Sequence, residues 1–137
     1  MLGIVTSLLL SIIANFRVSE FPEFHFLSAH LLLIISMITL ILYTRLSFLT
    51  PHVTAHKMAK IRLIMVTFII ILGISLITTT ILVLPKLKNM TTERRLKWKP
   101  EDDGYLENAI GSMLEWLWVF LTSIYIGTFH YELKNFG

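Results

Sequence analysis

Four stretches of this chain, 1–16, 24–44, 63–85 and 116–131, contain no Asp, Glu, Lys or Arg. Each is long, apolar and bounded by short polar connectors, a pattern that predicts membrane-crossing helices at about 2–16, 24–44, 63–84 and 107–129. The first reaches only about 23 Å at 1.5 Å per residue, short of a hydrocarbon core of roughly 30 Å. It lacks the positive leader and small-residue cleavage pattern of a signal peptide, so the expectation is a chain that starts part-way through a longer helix.

The connectors punctuate this reading. Pro22 in the segment 17–23 marks a helix start, and the connector Arg45–Arg62 is broken by Pro51 and holds four bases and no acid. Pro85 is expected to end the third span. A polar loop over 86–105 follows, and the segment His130–Gly137 forms the tail. Short connectors between four spans imply an all-α, polytopic membrane protein: an antiparallel four-helix transmembrane bundle in a single domain, 1–137.

Composition sharpens the class. Hydrophobic residues make up 55% of the chain and charged residues 15%, against about 25% charged in globular proteins, so lipid rather than water must cover the outer faces. The net charge of +3 is no nucleic-acid signature, because the bases sit in connectors rather than along one folded face. The absence of cysteine excludes disulfides, thiolate chemistry and palmitoylation. No P-loop, G-x-S-x-G or HExxH is present, so no nucleophile–base pairing can be argued, and no metal or cofactor is expected.

Glu115 is the most informative residue, an acid inside the fourth predicted span. An ionised carboxylate there costs several kcal/mol, so it is expected to face the bundle with a polar partner, Asn15 or His30. A proton-coupled or ligand-contacting role is the sharper alternative. His30 alone reads as a structural donor, and His52 and His56, at i, i+4, as loop residues without a third metal ligand. Arg45, Lys57, Lys60 and Arg62 are candidates for contact with anionic lipid, with plain topology signalling as the alternative. Trp98, Trp116, Trp118, Tyr105, Tyr125 and Tyr131 suggest interfacial aromatic belts, and Ser36, Thr39, Tyr43 and Thr67, Ser75, Thr78 each form a polar stripe along one helical face.

The run Leu96-Lys97-Trp98-Lys99-Pro100-Glu101-Asp102-Asp103-Gly104-Tyr105, followed by Glu115-Trp116, resembles the last lumenal loop and last helix of the damage-regulated autophagy modulator (DRAM) family, within the wider Frag/DRAM/Sfk group. The segment 11–17 and His30 resemble the end of that family's third span and the start of its fourth, and 60–63 the start of its fifth. The resemblance singles out Trp98, Pro100, Glu101, Asp102, Gly104 and Tyr105 as the motif loop. It implies the last four of six spans with cytoplasmic termini, in a non-enzymatic protein of lysosomes or late endosomes that promotes autophagy and can favour cell death. Related branches imply alternatives: GPI-anchor lipid remodelling or lipid-kinase recruitment, at Golgi or plasma membrane. A small transporter is a third reading. The implied partners are the bilayer, anionic lipids and other membrane or cytosolic proteins.

Sidedness receives opposing signals. The side holding Arg45, Lys57, Lys60, Arg62 and Lys134 carries fewer bases than the side holding Arg17 and the six of 86–99, which by count favours a cytoplasmic polar loop. The glycosylation sequon Asn89-Met90-Thr91 and the resemblance both favour a lumenal one. The expectation adopted is cytoplasmic termini.

Overall fold

A computed structural model describes residues 2–52, 54–130 and 132. Five helices follow one another: α1 (Leu2–Asn15), α2 (Pro22–Leu49), α3 (His56–Lys88), α4 (Thr92–Leu96) and α5 (Tyr105–Gly127). Among the described residues α2, α3 and α5 are long and apolar enough to cross a membrane, and α1 is a shorter apolar helix of 14 residues. The protein is an all-helical, multi-pass membrane protein. α2 and α5 pack on α3 and α1 on α2; Lys88–Glu23 at one end and Arg62–Ser47 at the other set α2 antiparallel to α3, and Lys86–Glu107 and Arg62–Thr128 do the same for α5.

The buried residues of α3 explain why it is the centre. Ala59, Arg62, Val66, Ile69, Gly73, Leu76, Thr80, Val83 and Leu87 recur at steps of three and four, a single stripe along the whole helix. Leu33 and Leu40 of α2 and Trp118 and Tyr125 of α5 pack against this stripe to form the core. Gly73 lets the helices approach closely: a Cβ there would lie 2.8 Å from Met37 Sδ and 3.5 Å from Trp118 Nε1. The remaining faces are apolar and uncovered, as at Ile38, Phe68, Ile71 and Phe120, which suits contact with lipid tails.

The helices outrun their charge-free stretches. At 28 and 33 residues, α2 and α3 extend for about 42 and 50 Å, beyond a hydrocarbon core of roughly 30 Å. The expected connector 45–62 therefore shrinks to 50–55, because nothing before Pro51 breaks α2 and α3 starts at His56. Pro85 does not end the third span, contrary to expectation; it lies inside α3. The turn beyond it is anchored from outside. Leu87 is buried, its carbonyl accepts from Arg95 Nε at 2.8 Å, and Lys88 pairs with Glu23 of α2.

The polar stripes are largely satisfied within their own helices. The hydroxyls of Thr39, Thr67, Ser75 and Thr78 donate to the carbonyls four residues earlier in their own helices, at 2.7–2.9 Å. They satisfy themselves and bridge no helices through these bonds. Nor do the aromatics form a simple belt. Trp116 is 76% exposed, but Trp118 and Tyr125 belong to the core, and Tyr131 lies outside the described residues.

Candidate functional site

The two ends of the bundle are built from different chemistry, and a cleft descends from one of them. At the first end the polar segment is folded rather than slack. Thr91 caps α4, its side chain accepting from Arg94 N, and Gly104 starts α5 with φ 84°, a left-handed conformation that side chains rarely adopt. A Cβ at Gly104 would also meet Lys86 Cδ at 2.8 Å and Trp98 at 3.3 Å. Lys86 reaches up from α3 to contact both Asp103 Oδ1 and Glu107 Oε1 at 2.8 Å. Asp102 accepts the Lys99 N–H at 2.9 Å on one oxygen and the Arg94 guanidinium at 2.7 and 3.2 Å on the other. The Lys99 amide first, and Arg94 second, hold the Asp102 carboxyl below its ordinary value. Arg95 ties this cap to the α1–α2 connector by donating to Ser19 O at 3.3 Å.

At the opposite end a cation is entombed. Arg62, fully buried, donates from Nε to Thr128 Oγ1 at 2.8 Å, from Nη1 to Ser47 Oγ at 2.7 Å and from Nη2 to Thr128 O at 2.9 Å. Its guanidinium carbon lies 3.7 Å from the centroid of the Phe129 ring, and Nη1 lies 2.9 Å from Glu132 Oε1. That oxygen accepts no well-angled hydrogen bond, so the Glu132 contact is coulombic rather than directional. Nearby, the Tyr125 hydroxyl donates to Leu40 O at 3.1 Å and lies 2.8 Å from Thr44 Oγ1, joining α5 to α2.

The chain matches the Frag1/DRAM/Sfk1/Cwh43P N-terminal domain over residues 1–136. It belongs to that family. Human DNA damage-regulated autophagy modulator protein 2 (Homo sapiens) is 29% identical over 116 residues, 84% of this chain and 44% of that protein. The proteins of that name from Bos taurus and Rattus norvegicus are 28% and 27% identical over the same share of this chain. The chain thus spans less than half the length of these curated relatives. No solved structure matches it.

For this DRAM-family chain, the structure gives the motif loop a physical role. Asp102 is the knot of the turn and Gly104 is its hinge into α5. Trp98 covers Gly104 with its indole nitrogen buried and unpartnered. Pro100 and Glu101 stay exposed, Tyr105 is half-buried in the first turn of α5, and Asn89 is exposed at the end of α3.

Several expected site residues fall elsewhere. Arg62 is no lipid contact, since none of its surface is exposed; Arg45, Lys57 and Lys60 are exposed. Its burial was legible in one signal, the three-and-four stripe of α3 extended back one turn from Val66. Glu115 is exposed on the flank of α5 and, among the described residues, makes no hydrogen bond or ion pair. Asn15 is not its partner, because the Asn15 amide donates to Ser11 O of its own helix at 2.7 Å on an exposed face. His30 lines the same cavity as Glu115, yet no hydrogen bond joins them and His30 Nε2 is buried without a partner.

That cavity is the concave feature of most chemical interest. An outer chamber of about 280 Å³ lies between α2, α3 and α5 beneath the polar cap, lined by His25, Thr79, Glu107, Asn108, Ser112 and Glu115 among others. A deeper chamber of about 170 Å³ shares His25 and Glu115 and is otherwise mostly apolar, reaching Leu10, His30, Leu33 and Trp118. The His25 Nδ1 lies 2.7 Å from Phe16 O, so Nδ1–H is the donor to that carbonyl.

Proposed function

We propose that this chain is a non-enzymatic modulator of autophagy in lysosomal or late endosomal membranes, acting through protein and lipid contacts. The observation that carries the reading is its similarity to DNA damage-regulated autophagy modulator protein 2 over 84% of its length. The ordered motif loop supports it. In this orientation the cap at 89–104 is lumenal, and Arg45, Lys57 and Lys60 face anionic lipid on the cytoplasmic side. Each such base contributes about 1 kcal/mol near the surface.

Expression in cells depleted of endogenous relatives, with autophagic flux measured beside GPI-lipid composition, tests the reading. A restored flux with unchanged lipids is expected. A flat flux with altered lipids would replace it with a role in lipid remodelling, the second reading, which the polar cleft within the membrane favours.

A further inference from the structure

We propose that the cleft between α2, α3 and α5 binds an amphiphile with a primary ammonium headgroup, the carboxylate of Glu115 recognising the cation. This does not rest on the autophagy reading. An ionised carboxylate well inside a membrane helix costs several kcal/mol unless something pairs with it. Glu115 lies ten residues beyond the start of α5, about 15 Å along its axis, and has no hydrogen bond or ion pair among the described residues.

The charge of the cavity selects the ligand. Its charged lining residues are Glu107 and Glu115, and no Lys or Arg lines either chamber. Glu107 already holds Lys86 at 2.8 Å, so its charge is matched from within the chain. Glu115 is left to attract a cation. The polar groups lining the same chamber suit a headgroup with several N–H donors: His25, whose Nδ1 faces Phe16 O, offers Nε2 as an acceptor when its ring is neutral, and the Asn108 side chain offers an amide oxygen.

The shape selects the rest. The headgroup chamber of about 280 Å³ continues into the apolar one of about 170 Å³, where Leu33 and Trp118 would pack against methylenes. Leu10 and Val119 on the rim are 59% and 45% exposed, so a longer chain can pass out between α1 and α5 into the bilayer. A free short amine would gain only the headgroup half of these contacts.

The test uses the full chain in nanodiscs of neutral lipid, with a photoactivatable C18 primary amine as the probe. Crosslinking to peptides of α2 and α5 lining the cleft is expected. Octadecylamine should compete, while octadecyl phosphate and butylamine should fail at tenfold higher concentration. The isosteric Glu115→Gln should lower labelling at least tenfold with its melting temperature unchanged, and Glu115→Lys should shift preference to an alkyl phosphate probe. Undiminished labelling of folded Glu115→Gln, equal competition by the phosphate, or crosslinks mapping outside the cleft would overturn the proposal. Equal competition by butylamine would overturn the amphiphile and leave a free amine as ligand.

Discussion

Replacing Arg62 by Met removes a charge that the fold has gone to unusual lengths to satisfy. Three N–H groups donate to Thr128 and Ser47, and Phe129 and Glu132 complete the shell. Removing one partner of a buried ion pair typically costs 3–5 kcal/mol. Two features place Arg62→Met near the lower end. The Ser47 and Thr128 hydroxyls still donate to Tyr43 O at 2.9 Å and Tyr125 O at 2.6 Å, and Glu132, 16% exposed, can regain solvent. A loss of about 3 kcal/mol follows. Glu132→Gln should cost less, about 1–2 kcal/mol, because its contact is coulombic and the three directional bonds survive. The double variant Arg62→Met/Glu132→Gln should be no less stable than Arg62→Met alone, giving a coupling of about 1–2 kcal/mol. Reversible unfolding in mixed micelles, titrated with a denaturing detergent, measures all three. An Arg62→Met protein within about 0.5 kcal/mol of the parent, or strictly additive variants, would show that the Arg62 shell does not hold the α2, α3 and C-terminal segments together.

Gly104→Ala should destabilise by about 1–3 kcal/mol, since it forces a left-handed alanine against Lys86; an unchanged transition in the same titration would contradict this. Tyr125→Phe should cost about 0.5–1.5 kcal/mol through its bonds to Thr44 and Leu40, and more than that would mean the ring itself had moved. The Asp102 carboxyl is held below its ordinary value of 3.8, so its contribution is complete above that pH and is lost as pH falls through the lower folded value. Hydrogen-exchange protection of the Lys99 amide should therefore be the same at pH 7 and pH 5 and fall only below about pH 3.8, while Asp102→Ala, which leaves no acceptor, should lose it at every pH.

The helical class and the three long crossings were legible because charge-free stretches of this length have few other uses. Helix ends were not. Pro85 is a strong local stop, but Leu87, Lys86 and Lys88 are pinned by α2, α4 and the turn before α5, and those contacts lie far away in sequence. Arg62 stands at the edge of a charge-free stretch and reads as an interfacial cation. Only the position of Thr128 and Glu132, 66 and 70 residues later, turns it into a buried one. Glu115 was found by its cost in lipid, yet its surroundings were misjudged. The amide of Asn15 is taken up by its own helix, a local bond that competes with every interhelical one. The motif loop stood out through its Trp, Pro, acids and Gly, but the Arg94–Asp102 and Lys86–Glu107 pairs that shape it required the fold.

The Arg62 end and the capped end should face opposite sides of one membrane, and the absence of cysteine makes this directly measurable. Single cysteines at exposed Lys57 and Glu101 can be labelled in sealed cells with a membrane-impermeant maleimide after selective permeabilisation of the plasma membrane. Labelling of Lys57→Cys is expected at once, and of Glu101→Cys only after the organelle membrane is opened. Labelling of both from the same side would contradict this.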